Sequence, residues 1–481
     1  MPIPSTTETT TDGALGSIAA TPDNTLLAIG ASSLGTVATL VALTQVQDVR
    51  AALGYGPLAE FVANVLSRGK GKVNVLACPV TSTPGALGAV AKVGTGTQTI
   101  LDSASVPNDR YDVVIKIILG GAVATFTFQY SLDGGRTYNG KNILSAATYA
   151  IPNTGITVAM AGALLAVAGD TYSFTAPAPT FIVSDLNTAL TAGLNDQRSW
   201  GLCAVVGTPA DAPTAASVAA AVDVKMQAAV AQKKWAASFI EGPDAVADAT
   251  ILTQFASVIS AGGKVTIFAD FAPLVSALSG RTEKRPAMWS AVARIASTSV
   301  EEHPGRFASG PLSGVGALKS VSSDLIQWSY RDEFLTPGLD DGRIATLRTW
   351  PGNGTATYIT RGKTLAPLLS DFAQIQAVRV MNKAEQLGYA SIIQFANESL
   401  RVATATGFLD ERDAVRIEQT VTAALRNGLG KSVSDATCQV VRGINFLATN
   451  TVQYRVRVIP VGYAEFLNGE YGFFNPALVP S

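Results

Sequence analysis

Between Asn24 and Val80 the chain alternates short apolar runs with stretches of helical period. NTLLAIGAS reads as a buried strand, QDVRAALGYGPLAEFVANVLSRGKGK as a helix, a turn and a second helix, and VNVLACPV as another strand. From about Val93 the period drops to two. In ATFTFQY (Ala124 to Tyr130) every second side chain is apolar, so one face is expected to be buried, and LDGG at 132–135 supplies turn chemistry. After Pro179 the α/β alternation returns. GLCAVVG, WAASFIEG and KVTIFADF read as strands, separated by helices, one of which carries Val218, Val222, Met226 and Val230 on one face. Strands separated by helices predict a parallel sheet with right-handed crossovers.

Residues 301–355 are rich in Gly and Pro and predict irregular connection. A helix is then expected over about Ala366 to Leu387, from Leu368, Phe372, Ile375, Val378 and Met381 at spacings of three or four. A second helix is expected from an Asp410 cap, with Ala414, Ile417, Val421 and Leu425 inward and Gly428 as its stop. NTVQYRVRVIPV alternates as a half-buried strand, with Val452, Tyr454, Val456 and Val458 to one side and Gln453, Arg455 and Arg457 to the other.

These patterns predict an α/β multi-domain chain. Residues 1–22 are a Thr-, Pro- and Ser-rich N-terminal arm, and 23–92 form the first part of a central parallel-sheet α/β domain. Residues 93–180 are an all-β insertion, 181–345 the second part of the α/β domain with its connection, 346–462 a C-terminal α+β domain, and 463–481 a C-terminal arm. That last arm holds Phe466, Tyr471, Phe473 and Phe474 and no basic residue. It either folds back on its own domain or is lent to another molecule.

Composition sharpens the picture. Apolar residues make up 47% and charged residues 15%, against a usual charged share of about 25%, and the mean hydropathy is +0.27. A low-charge surface suits a subunit that neighbours cover in a permanent assembly. The 35 basic and 36 acidic residues leave a net charge of −1, which argues against direct nucleic-acid binding. The opening MPIPSTTETTTDG lacks a basic region of the kind a signal peptide carries, and the longest apolar run, 155–169, is short of the ~20 residues a membrane span needs, so no membrane insertion is expected.

Candidate chemistry is sparse. Cys78, Cys203 and Cys438 lack metal or redox spacing and read as buried free thiols. His303, the single histidine, stands in EEHPGR with no second ligand nearby, so no metal site, catalytic residue or cofactor is expected. RGKT (361–364) and LGKS (429–432) resemble phosphate loops, yet Thr357 and Leu425 stand where the first glycine is required. The acid pairs Asp340-Asp341 and Asp410-Glu411 fit a turn and a helix start. SLDGGRTY (131–138) is similar to an Asp-box, in which Asp and Ser/Thr side chains bond the backbone of their own turn.

The order of these pieces resembles the contractile tail sheath family of phages and related injection devices. The likeness is carried by Asn24 to Val80, including DVRAALGYGPLA, and by Trp350 to Pro476, including WPGNGTATYITRGKT, DFAQIQAVRVMNKA and YRVRVIPVGYAEFLNGEYGFFNP. The resemblance implies a C-terminal α+β sheath domain completed by exchanged terminal arms. It implies a homo-oligomer of stacked six-fold rings around a tail tube protein, with baseplate and tail terminator proteins as further partners. The particle would be a virion tail or an injection device assembled in the bacterial host cytoplasm, and contraction would drive the tube through an envelope. On this reading Phe466, Tyr471, Phe473 and Phe474 anchor the arm between subunits, Gly462 is a hinge, and Arg379 and Lys383 face the tube. A nucleotide-dependent enzyme on the α/β region, or another virion structural subunit such as a capsid protein, remain the alternatives.

Overall fold

The computed structural model describes residues 21–160, 164–244, 247–260, 264–318, 331–335, 338–367 and 369–472. The chain begins with β1 (Thr25–Gly30), β2 (Val41–Leu43), α1 (Val46–Leu53), α2 (Pro57–Arg68) and β3 (Asn74–Pro79). Short strands follow: β4 (Ala91–Val93), β5 (Ile100–Asp102), β6 (Tyr111–Leu119), β7 (Thr127–Ser131), β8 (Ile143–Leu144), β9 (Thr148–Ile151), β10 (Ile156–Met160) and β11 (Thr171–Ala176). Next come α3 (Val183–Asn195), β12 (Leu202–Val206), α4 (Ala212–Ala231), β13 (Ala237–Glu241), α5 (Asp248–Ser260), β14 (Val265–Phe268), the hairpin β15 (Phe271–Val275) and β16 (Thr282–Pro286), and α6 (Met288–Ser297). A ribbon of β17 (Leu347–Thr349) and β18 (Thr357–Ile359) leads to α7 (Ile375–Ile392), α8 (Glu411–Leu429), β19 (Val433–Val440), α9 (Phe446–Thr449) and β20 (Tyr454–Pro460).

The central sheet runs β14-β13-β12-β1-β3-β2, parallel except for the edge strand β2. Its inner strands are apolar on both faces because both faces are covered. Leu26, Ala28, Leu202 and Ala204 join a core with α1, α2 and α6, while Leu27, Ile29, Cys203 and Val205 join one with α3, α4 and α5. Val218, Val222 and Met226 of α4 are buried there, whereas Val230, expected on the same face, is exposed near the helix end. Between β3 and α3 the chain leaves to build two antiparallel sheets, β4-β11-β6-β7-β8 and β5-β10-β9. These enclose Ile115, Ile117, Phe126, Phe128, Tyr172 and Phe174. At the β7 turn Asp133 accepts from the Thr137 hydroxyl (2.6 Å) and amide (2.9 Å), and from the Ser131 hydroxyl (2.7 Å), as the Asp-box likeness requires.

The β insertion is fastened to the α/β body mainly by charge. Arg285 of β16 donates two bonds to Asp109 (2.8 and 2.5 Å) and pairs with Glu283. Lys284 and Arg110 both reach Asp244, at 2.6 and 3.2 Å. Glu60 of α2 accepts from Ser276 (2.6 Å) and faces the same cluster. Burial pushes the Glu60 and Glu283 carboxyls above their ordinary range. The chains approach closely here: Gly56, at φ +122, has Asn108 O 3.0 Å from where a Cβ would stand.

The helix expected over 366–387 starts later, at Ile375. Residues before it belong to the central body instead: the Leu365 amide bonds Val265 O at 2.8 Å, and Leu365 lies in the α3–α5 core. Leu368 is outside the described residues. The C-terminal unit packs Val380, Ala384 and Leu387 of α7 and Ala414, Ile417, Val421 and Leu425 of α8 against Ala436, Cys438 and Val440 of β19.

Arg285→Met leaves Asp109 a buried carboxylate without its ion-pair partner and leaves Glu283 with Arg281 alone (2.7 Å). It is expected to cost ~3–5 kcal/mol in urea unfolding, and adding Asp109→Asn and Glu283→Gln should recover much of it.

Candidate assembly surface

The C-terminal sheet has two strands, β19 and β20, paired antiparallel with Cys438 opposite Val456. In this register the odd-numbered residues Thr437, Gln439, Arg455 and Arg457 bond across the ladder, and the even-numbered amides and carbonyls point outward. The outer edge of β19 is closed by side chains. Thr422 of α8 accepts from the Cys438 amide (3.0 Å), Glu418 from the Val440 amide (2.7 Å), and Asp435 from the Ala436 amide (2.8 Å). Arg426 Nε donates to the Ala436 carbonyl (3.2 Å). Arg442, hydrogen-bonded to Glu418 and to Glu411 (2.7 Å), holds both carboxyls below the usual carboxylate range.

The outer edge of β20 has no such cover. Tyr454, Val456 and Val458 direct their backbone groups away from β19, and among the described residues no strand or side chain receives them. Val456 and Val458 still pack half-buried on the helices, while Tyr454, expected on that face, is exposed.

Beyond β20 the chain runs on without regular secondary structure as far as residue 472, with one local backbone bond from the Glu465 amide to Tyr463 O (3.1 Å). Gly462 has open space around it. The Tyr463 hydroxyl donates to Glu301 O (2.7 Å) and its ring lies 5.7 Å from that of His303. Glu465 accepts from Gln374 and lies 3.9 Å from Arg361. The segment therefore stays on its own subunit three residues past Gly462. From Phe466 it does not: Phe466, Leu467 and Tyr471 are 78%, 87% and 97% exposed. Phe473, Phe474 and residues 1–20 of the N-terminal arm lie outside the described residues.

The pair expected to face the tube, Arg379 and Lys383, bonds to the subunit's own central body. Arg379 is 4% exposed, and its guanidinium donates to Ser299 O (3.2 Å) and Thr298 O (3.1 Å) at the end of α6. Burial pushes it down to about 10. Lys383 is ion-paired with Asp23 at 2.8 Å. Both cations fasten α7 to the central body.

The sites weighed for chemistry are occupied by structure. His303 Nδ1 accepts from the Gly305 amide (3.1 Å), and burial lowers its pKa. Arg361 of RGKT pairs with Asp340 and Asp341. The cysteines are buried, their thiols pushed up by burial to about 11 at Cys78 and Cys438 and about 12 at Cys203. Among the described residues no cluster of metal-ligating side chains occurs, and no helix is long and apolar enough to cross a membrane. Sequence reasoning missed Glu241 and Asp270, at the carboxyl ends of β13 and β14, where open α/β sheets bind ligands. Glu241 accepts from Trp289 (2.7 Å) and Thr208 (2.9 Å), and Asp270 from the Leu347 amide and from Arg331 (3.4 Å). Burial raises both to about 7.

No curated protein matches this sequence. Among solved structures, the contracted sheath complex of the extracellular contractile injection system PVC aligns over 98% of both chains, with 10% identity and a TM-score of 0.51. The baseplate of the anti-feeding prophage aligns over 99% of this chain and 100% of its own, with 10% identity and a TM-score of 0.50. The sheath tail protein of Desulfitobacterium hafniense covers 95% of this chain and 100% of its own, with 12% identity and a TM-score of 0.47. The mixed α/β fold is thus shared, along its whole length, with the contractile sheath. The family described as DUF2586, N-terminal domain, matches residues 3–363, and the chain belongs to that family.

Proposed function

We propose that this chain is the structural subunit of a contractile sheath and has no catalytic role. Copies assemble as six-fold rings stacked helically around a tail tube, held at the ends by baseplate and terminator proteins. The particle is a virion tail or an injection device put together in a bacterial cytoplasm, and contraction drives the tube through the target envelope. One observation carries this reading: on a sheath-like fold, a strand whose outer edge is open among the described residues is followed by an exposed, aromatic-rich segment without regular structure. A strand lent by one copy to the β20 edge of another satisfies both needs at once.

The energetics suit a permanent contact. Each aromatic anchor buries ~150–250 Å², contributing roughly 1.5–3 kcal/mol before ordering costs. Phe466 and Tyr471 are the described anchors, and Phe473 and Phe474 extend the set. The open space at Gly462 gives play between β20 and the anchored Tyr463, and the lent stretch starts at Phe466. Backbone bonds between lent strand and host survive a rigid-body shift of whole subunits, because the short linkers on either side absorb it. The nucleotide-dependent enzyme and the capsid subunit are not favoured by the shared fold.

Electron microscopy of the concentrated protein is expected to show hollow striated cylinders. Deleting residues 466–481 should leave the melting temperature unchanged and abolish the cylinders; cylinders of the truncated chain overturn the arm assignment. Val456→Pro removes an outward amide from the β20 edge, where proline is tolerated. It should leave the subunit folded but unable to polymerise. Arg457→Pro removes a bond to β19 and should destabilise the subunit itself. Equal effects of the two prolines on folding, or cylinders from Val456→Pro, would exclude β20 as the accepting edge.

A further inference from the structure

A cavity of about 490 Å³ lies between α2, α6, the 298–313 loop and the turn that joins α8 to β19. Its wall carries Arg68, Lys70, Lys72, Arg294 and Lys431 against one carboxylate, Glu302. That carboxylate is already taken by the Ser309 hydroxyl and lies 4.0 Å from Arg306. Lys431 approaches Glu301 at 4.0 Å, while Arg68, Lys70, Lys72 and Arg294 form no ion pair among the described residues. The volume falls in the usual range of ligand sites.

Arg68 is held as a fixed donor. Its Nε bonds Ser313 O (2.8 Å) and its Nη2 bonds Val275 O (3.0 Å). The guanidinium lies against Gly314, at φ +69, where a Cβ would stand 2.2 Å from Nη2. Nη1 is left without an acceptor. Ser290, 3% exposed on the same wall, also has a hydroxyl with no partner. Arg294 donates to Pro311 O (2.5 Å), and burial lowers the pKa of both arginines. Part-buried guanidiniums with spare donors, beside serine hydroxyls and exposed lysines, are the chemistry that recognises phosphate oxygens.

We infer that this cavity binds an anion carrying two or more phosphate groups. Five cations against one carboxylate favour a multiply charged ligand over a single phosphate. The site is no P-loop: its donors are side chains from separate elements, and LGKS contributes only Lys431. A bound anion ties Lys431, at the root of the assembly sheet, to α2 and α6 of the central body. This site stands apart from the proposed sheath role and can fail without it.

The test is calorimetric titration of the full chain with tripolyphosphate at about 0.15 M chloride, an ionic strength that screens diffuse surface attraction. Saturable binding of one anion per subunit is expected, with a rise in melting temperature. Lys70→Gln/Lys72→Gln, which alters exposed side chains only, should weaken binding at least about tenfold. Gly314→Ala should weaken it similarly with no change of charge, by displacing Arg68. A parallel titration with ATP identifies the source: equal affinity means the phosphate tail alone is read, tighter binding adds a nucleoside contact, and no binding points to free polyphosphate. Absence of saturable heat at millimolar tripolyphosphate, or wild-type affinity in both variants, overturns the site.

Discussion

An extended strand has two hydrogen-bonding edges, and in the C-terminal sheet only one of them is closed. Four polar groups of Thr422, Glu418, Asp435 and Arg426 meet the outward amides and carbonyl of β19. Among the described residues nothing comparable stands beside β20. A two-stranded sheet with both edges free would pair at random; one with a single free edge adds strands in one direction and one register. The side chains of α8 thus act as a stop. Their chemistry is local, because Glu418, Thr422 and Arg426 come from the adjoining helix and Asp435 from β19 itself.

An edge can transmit force only if the body behind it is stiff. The buried guanidinium of Arg379 meets the carbonyls of Thr298 and Ser299, just past the C-terminal end of α6, where a cation also complements the helix dipole. Lys383 reaches Asp23, immediately before β1. Two cations of one helix thereby bind the assembly unit to the start and to the far side of the parallel sheet. The β insertion is held in the same manner, through Arg285, Asp109 and Glu283. Charged pairs in low dielectric are directional, so they fix orientation where a greasy contact would tolerate sliding.

Much of this architecture was legible. The parallel strands are runs of apolar residues because both faces of the sheet are covered, and the Asp-box announced its own turn. The exposure of Phe466 and Tyr471 fits the sequence too, since they follow a strand and share no period with a partner. The start of α7 was not. Apolar residues near 365 continue at helical spacing by accident, while their true partner is Val265, a hundred residues earlier. The partners of Arg379 were hidden for a related reason. A basic residue on a helix is ordinarily solvated, and only the fold brings Thr298 and Ser299 to it. The closure of β19 was equally hidden, because Thr422 and Glu418 look like ordinary polar positions on an amphipathic helix.

The central parallel sheet also joins its neighbouring elements at the ends of its strands. Such sheets offer a crevice beyond the carboxyl ends of their strands, and in enzymes that crevice admits ligands. In this chain the protein fills it. Trp289 and Thr208 take up Glu241, and the Leu347 amide and Arg331 take up Asp270. Both carboxyls are buried far enough to shift to about 7, a cost the fold bears to knit α6 and the β17 strand onto the sheet. A crevice closed by its own side chains has become a joint. The sheet is thereby a rigid plate, which the proposed strand exchange at β20 would require if strain there is to move a whole subunit.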